Sequence, residues 1–267
     1  MTHGSATLTI SGAIAQIVFT NPDQGFMDEA MEADLLLAVE TICASPTLRA
    51  CVLIGGQPNV FIRHYDLKVL ALKAAAMAQR GMVFTPDRPV PESPIHKAMS
   101  MMESSDVIFI AALNGTAMGG GFELALACDL RLVQEGSHQF GLPEINLGIL
   151  PGAGGTQRLP QIVGQSRALQ MTLTGDTLSP AQMCEYGIAL NAVSDVVAAA
   201  VTLAHRMAQK PALATAHIKR LVRQAHSPRT EDMADERTLF CDLMVRDDAG
   251  RLLQEGASGQ RRITDAP

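Results

Sequence analysis

The 267-residue sequence predicts an α/β protein of stacked layers, continued by a helical C-terminal part. Three observations predict it. Between residues 7 and 55 a strand-like hairpin, a helix with apolar residues three and four apart, and an unbroken apolar strand follow one another. Unbroken apolar strands are the ones buried on both faces, as in parallel sheets covered by helices. A second apolar strand then runs through a glycine-rich turn into an apolar helix, and after Gly155 the periodicity is helical throughout.

Residues 7–10 and 14–19 flank Ser11-Gly12 and read as a hairpin. Residues 27–45 place Met31, Leu35, Val39 and Ile42 on one helical face. Residues 49–55 form the continuous strand and end in Gly55-Gly56. Pro86, Pro89, Pro91 and Pro94 crowd one segment, predicted as a surface loop because proline lacks the N–H that helix and sheet require. A buried strand at 107–113, a helix from near Gly121, and short strands at 129–133 and 138–141 follow. Short helices are expected at 157–163, 167–173 and 180–185, longer ones at 195–209 and 211–225, and the longest at 231–254. No internal repeat is visible. The division falls between an α/β core, residues 1–195, and a helical region, residues 196–267.

Composition narrows the function. The chain carries 21 basic against 27 acidic residues, net −6, which argues against a general grip on nucleic acid. Trp is absent and Tyr occurs only at 65 and 186, so there is no aromatic platform for stacking bases. An anionic ligand would have to be held by local cations and backbone N–H groups. Hydrophobic residues make up 47% and the mean hydropathy is +0.14, which fits a globular interior with buried subunit contacts. Cys43, Cys51, Cys128, Cys184 and Cys241 are odd in number and lack metal-ligand spacing, which reads as reduced thiols in a cytoplasmic protein without a metal. No apolar run reaches membrane-spanning length, and the N-terminus lacks a signal-peptide pattern.

The chemistry concentrates in Asn114-Gly115-Thr116-Ala117-Met118-Gly119-Gly120-Gly121-Phe122-Glu123, continued by Leu124-Ala125-Leu126-Ala127-Cys128-Asp129. Glycines allow a tight turn and close approach of another molecule. A helix starting there aims free N–H groups and the positive end of its dipole at whatever binds. Glu123 falls in its first turn, in an otherwise apolar run. Anion-stabilising donors beside a carboxylate are what making and protonating an enolate requires. A second segment, from Phe140-Gly141-Leu142-Pro143-Glu144 to Pro151-Gly152-Ala153-Gly154-Gly155, supplies Glu144 and another glycine-rich helix entry. Each feature has a plainer alternative. The glycines could be a strand-to-helix turn, Glu123 a helix-terminal charge, Glu144 a turn residue and Gly152 a helix entry.

Together with Leu173-Thr174-Gly175-Asp176, these segments resemble the enoyl-CoA hydratase/isomerase (crotonase) family. The match is dense over residues 111–193, weaker over 7–70, and poor over 71–106 and at the C-terminal end. The resemblance implies a crotonase-like (ClpP/crotonase) spiral of ββα units. It further implies a helical C-terminal region that takes part in a homotrimer or a dimer of trimers. The implied substrate is an acyl-CoA thioester, with coenzyme A as part of the substrate and no separate cofactor. Two backbone N–H groups would bind the thioester oxygen. One falls on Gly120, and the other on Tyr65, which precedes the aspartate of Phe61-Ile62-Arg63-His64-Tyr65-Asp66-Leu67. Glu123 and Glu144 match the two carboxylates that flank the water in hydratases, Glu144 exchanging the proton at Cα and Glu123 orienting the water. Gly152 matches a position whose N–H helps hold that water.

The leading expectation is hydration of a 2-enoyl-CoA. The alternatives are enoyl-CoA isomerisation, another acyl-CoA dehydratase or hydrolase reaction of the family, and a non-catalytic acyl-CoA-binding protein. The chain departs from the family pattern at Arg63 and His64, which replace a small residue and a glycine. A glycine position suggests positive φ, so strain is expected at His64. Arg63 and His64 are expected to narrow the mouth of the coenzyme site, with Arg63 placed to meet a phosphate, and Lys68 is a second candidate for that contact. Asp66, expected to cap or brace its loop, and Leu67 are counted with Arg63, His64 and Lys68 as the substrate-binding residues. Met101, Met102, Met118 and Met171 are expected in packing or in the acyl pocket.

Overall fold

A computed structural model describes residues 3–22, 24–224 and 230–265. The chain runs β1 (Ser5–Ser11), β2 (Ile14–Thr20), α1 (Glu29–Ala44), β3 (Ala50–Gly55), β4 (Asn59–Ile62), α2 (Leu67–Gln79), α3 (Pro94–Ser104), β5 (Ile108–Leu113), β6 (Gly115–Met118) and α4 (Gly120–Ala127). It continues through β7 (Leu130–Gln134), β8 (Phe140–Gly141), a 3-10 turn (Glu144–Leu147), α5 (Gly155–Val163), α6 (Gln165–Thr174), β9 (Thr177–Leu178), α7 (Pro180–Glu185) and β10 (Ala192–Val193). Helices α8 (Val196–Ala208), α9 (Ala212–Gln224), α10 (Thr230–Met244) and α11 (Asp247–Ala257) complete it.

Two sheets organise these elements. One has the order β1-β2-β3-β5-β7-β10, the other β4-β6-β8-β9. Strands β2 to β10 of the first sheet pair in parallel, and β1 closes it as the hairpin expected at Ser11-Gly12, with Gly12 at φ 58°. The chain crosses from one sheet to the other at each step: β3 to β4, β5 to β6, β7 to β8. Each pair of strands is followed by helical structure, so the backbone advances as a spiral. Close stacking requires glycine at the crossings. A Cβ on Gly115 would lie 1.9 Å from the Asn59 carbonyl carbon, and one on Gly121 would lie 2.4 Å from the Ile62 carbonyl oxygen.

All six residues of β3 are buried, and all six of β5. The reason is packing on both faces. Ile17, Cys51, Leu53 and Phe109 face a core shared with α1, α3 and α4. Val52, Ile54, Ile110 and Leu132 face α8 through Val196, Ala200 and Ala204. Each such side chain contributes about 1.5–3 kcal/mol by leaving water. A third apolar cluster joins Leu67, Ala71 and Ala74 of α2 to Ala249, Leu252 and Leu253 of α11, with Leu147 and Ile149 between them.

Two expectations need correction. Residues 67–104 hold two helices, α2 and α3, on either side of the proline-rich stretch, and Pro94 opens α3 instead of lying in the loop. Proline is favoured there because the first turn of a helix needs no N–H from it. The expected long helix over 231–254 is two helices, divided at Arg246, whose backbone is extended at φ −79° and ψ 146°. The break turns the chain so that Ala249, Leu252 and Leu253 reach α2. The last residue of the helix expected over 211–225 lies outside the described residues.

Candidate active site

Strand β6 delivers the chain to Gly119, whose φ of 51° and ψ of −131° turn it sharply into α4. Gly119 N–H donates to Gly141 O at 3.0 Å and Met118 N–H to Arg63 O at 3.0 Å, which locks the turn between β8 and the 63–66 segment. The N–H of Gly120, at the start of α4, has no acceptor among the described residues, as expected for a helix start. Opposite it, Tyr65 forms a parallel bridge with Met27. In that bridge Met27 N–H donates to His64 O at 2.9 Å and Asp66 N–H to Met27 O at 2.8 Å. The Tyr65 N–H therefore points away from Met27, and it too has no acceptor among the described residues.

Both residues line a cavity of about 400 Å³. Glu123, Glu144, Gly152, His64 and Leu67 line it as well. Glu123, in the first turn of α4, is 2% exposed, and Glu144, opening the 3-10 turn, is 6% exposed. Glu123 Oε1 accepts from Ala153 N–H and from Gly155 N–H, each at 2.8 Å, so the glycine loop wraps its carboxylate. A Cβ on Gly119 would come 3.0 Å from Glu144 Oε1, so the glycine lets the second carboxylate approach the start of α4. The structure thus brings Tyr65, Gly120, Glu123, Glu144 and Gly152 to one cavity.

The neighbours of Tyr65 divide. His64 is buried against Phe26, with ring centroids 4.5 Å apart, and its Nδ1–H donates to Tyr65 O at 2.7 Å. Burial lowers its pKa to about 4. The positive φ expected at His64 is absent: Asn59 is the non-glycine residue with positive φ among those described. The ring is accommodated by stacking in place of backbone strain. Arg63 lies outside the cavity lining and is exposed, with Nε donating to Gln24 O at 3.0 Å. Lys68 is also exposed and outside the lining. Asp66 caps α2, its Oδ1 accepting from Lys68 N–H at 2.8 Å. Met101, Met102, Met118 and Met171 pack in the cores, and the methionines that line the cavity are Met77 and Met244.

The rest of the lining comes from segments with weak sequence signals. Leu70, Lys73 and Met77 belong to α2, Ile95 and His96 to α3, and Phe240, Cys241 and Met244 to α10. His96 Nε2 lies 2.8 Å from Gly152 O, and its Nδ1 is 2.7 Å from Ser93 Oγ. The buried Glu32 of α1 bonds the Tyr65 hydroxyl, and burial raises its pKa. Lys73 Nζ donates to the same hydroxyl at 3.3 Å and pairs with Glu29 at 2.8 Å. The Ser-x-x-His spacing of 93–96 was the one local signal for His96, because it mimics a capping box.

These features define a protein with a buried carboxylate pair and glycine-built N–H donors at one apolar cavity. The chain belongs to the enoyl-CoA hydratase/isomerase family, whose model matches residues 9–258. The fold is the crotonase spiral. An enoyl-CoA hydratase from Bacillus anthracis superimposes with a TM-score of 0.73 at 26% identity, covering 96% of both chains. A structure described as a putative enoyl-CoA hydratase, from Streptomyces avermitilis, gives 0.84 at 23% identity over 98% of this chain and 93% of its own, a likeness of fold. Among curated proteins, the fatty acid oxidation complex subunit alpha of Shewanella putrefaciens is 36% identical over 180 residues, 64% of this chain. That match spans only 24% of the relative's length. Among the described residues no helix is long and apolar enough to cross a membrane.

Proposed function

We propose that the chain is an enoyl-CoA hydratase. The observation that carries this reading is the pair Glu123 and Glu144, both buried, on the wall of one apolar cavity beside Tyr65 and Gly120. The thioester oxygen of a 2-enoyl-CoA would accept from the Tyr65 and Gly120 N–H groups. Such donors favour the enolate over the neutral thioester, and losing one typically costs ~10²–10³ in rate. A water held by Glu123, Glu144 and the Gly152 N–H would give hydroxide to Cβ and its proton to the Glu123 carboxylate, while protonated Glu144 delivers its proton to Cα; passing the proton from Glu123 back to Glu144 restores both groups. The product is a 3-hydroxyacyl-CoA, and no redox partner is needed. Coenzyme A enters as part of the substrate. Arg63 and Lys68, exposed on the segment that carries Tyr65, are its candidate phosphate contacts.

Isomerisation needs only one carboxylate as a shuttle, so the retained pair favours hydration. A purely binding role is disfavoured by the cost of burying two carboxylates in apolar surroundings without chemical use. A panel of acyl-CoA thioesters, followed for water addition, double-bond migration and coenzyme A release, tests the reading. Water addition faster than the other two supports it. Migration alone, or no turnover on any member, sinks it.

The reading includes a cytoplasmic location and a trimer-based assembly. The assembly is suggested by Leu213, Leu221 and Val222, which remain exposed on α9. Sedimentation showing only monomer at micromolar concentration would remove it.

A further inference from the structure

The Gly152–Ala153 peptide group is hydrogen-bonded at both ends. Its carbonyl lies 2.8 Å from His96 Nε2, and its N–H donates to Glu123 Oε1 at 2.8 Å. The tautomer of His96 follows from its partners. Ser93 N–H, which can only donate, is 3.3 Å from Nδ1, and Gly152 O can only accept. His96 is therefore neutral with the proton on Nε2, and the ring donates to the carbonyl. Proton donor, peptide and carboxylate form one chain: imidazole N–H to C=O, amide N–H to carboxylate. A donor on the carbonyl polarises an amide and strengthens its N–H as a donor.

We propose that His96 is a positioning residue for Glu123, acting through the Gly152–Ala153 peptide to hold the glycine loop against the carboxylate and to favour its ionised form. The inference rests on the hydratase reading for its kinetic consequences but not for its structural ones. The first turn of α3 makes His96 rigid, since Ser93 bridges the ring and the helix start. Other charged groups surround the chain. Arg237 of α10, Glu92 before α3 and Arg158 of α5 face His96. Glu144 shares the cavity with Glu123, and Arg158 Nη1 donates to Ala153 O at 2.7 Å. These groups are common to all the variants, so a difference in Glu123 between His96→Gln and His96→Asn reports the peptide link. Burial lowers the pKa of His96, which keeps it the neutral donor.

The experiment compares wild type with His96→Ala, His96→Asn and His96→Gln. Glutamine can place an amide N–H where Nε2–H stands, whereas asparagine falls short of Gly152. Two readouts are taken: the acidic limb of kcat/KM, and the ionisation of Glu123 in the free protein by carboxyl 13C NMR, assigned with Glu123→Gln. In the Ala and Asn variants, Glu123 is expected to titrate at higher pH and the acidic limb to move with it. Turnover is expected to fall ~10–100-fold, the range typical of lost supporting hydrogen bonds, with little change in KM. Gln is expected to recover most of both. Equal behaviour of Gln and Asn, or a Glu123 titration unmoved in every variant, would overturn the proposal. Should Ala fail to fold, the Gln–Asn pair decides. Absence of hydration by wild type would defeat the functional reading alone, since the NMR titration would still decide the role of His96.

Discussion

Two walls face each other across the cavity, and they are built differently. One runs from β6 through α4 and the 3-10 turn to the 151–155 loop. It offers backbone N–H groups and two carboxylates, all fixed by glycines that bring peptide groups within contact of one another. The other consists of α2, the start of α3, α10 and Ile263, which follows α11. It offers Leu70, Met77, Phe240, Met244 and Ile263, side chains with no fixed hydrogen-bonding demand. The first wall has few solutions. A Cβ on Gly155 would sit 2.9 Å from Glu123 Oε1, so even alanine there disturbs the carboxylate. The second has many, because apolar side chains of similar volume exchange at low cost. The contrast teaches where chemistry and where selectivity should reside: the first wall sets whether a thioester reacts, the second which acyl group fits.

The largest effect expected from this division is at the carboxylates. Glu144→Gln and Glu123→Gln keep volume and remove the proton-transfer group. Each should lower turnover by at least ~10² while leaving acyl-CoA binding largely intact, because general acid–base catalysis is worth ~10²–10⁴. Steady-state kinetics beside calorimetric binding separates the two quantities. Near-normal turnover in either variant on the best substrate would move that residue out of the mechanism and dissolve the contrast between the walls.

A smaller effect is expected on the second wall. The Phe240 ring lies 2.7 Å from where a Gly152 Cβ would be, so it closes the cavity directly beside the loop. Phe240→Ala should admit bulkier acyl groups and shift the kcat/KM ratio between long and short thioesters by ~10-fold, the scale on which apolar pockets discriminate. Turnover on the preferred substrate should change less than in either glutamate variant. A drop in turnover matching the glutamate variants, with chain-length preference unmoved, would mean that Phe240 serves the chemistry and that the walls are not separate.

The same division explains what was legible in the sequence. Gly119, Gly120 and Gly121 announce a backbone geometry that few other residues allow, and Glu123 and Glu144 stand at fixed offsets from such glycines. The strands β3 and β5 were legible because burial on both faces leaves an unbroken apolar run. Helices α2 and α3 were not, since the proline-rich stretch between them masked their ends. The break at Arg246 left no local mark either: it serves a tertiary contact with α2. His96 was missed because its partner, the Gly152 carbonyl, is a backbone group 56 positions away in sequence. His64 was visible as a departure, but its cost was misjudged. The structure spends no backbone strain there and places the cost in a buried titratable ring.

That cost gives the smallest effect, and it lies on stability, not rate. Burial holds the folded-state pKa of His64 at about 4, below the ordinary histidine value. The unfolded chain, with an ordinary histidine pKa near ~6.5, therefore binds a proton that the folded chain refuses across the window between these values. Above pH ~6.5 both states are neutral at this position and it contributes no pH dependence. As the pH falls from there towards 4, stability should decline, by about 3 kcal/mol in all if this ring acts alone. His64→Asn preserves an amide N–H near the position of Nδ1 that can bond the Tyr65 carbonyl but cannot take up a proton. Denaturant unfolding of both proteins from pH 4 to 7 should show a steeper fall for wild type, with the curves parallel above pH ~6.5. Parallel curves throughout would place His64 in contact with solvent. The segment carrying Tyr65 would then belong to the adaptable wall and not to the rigid one.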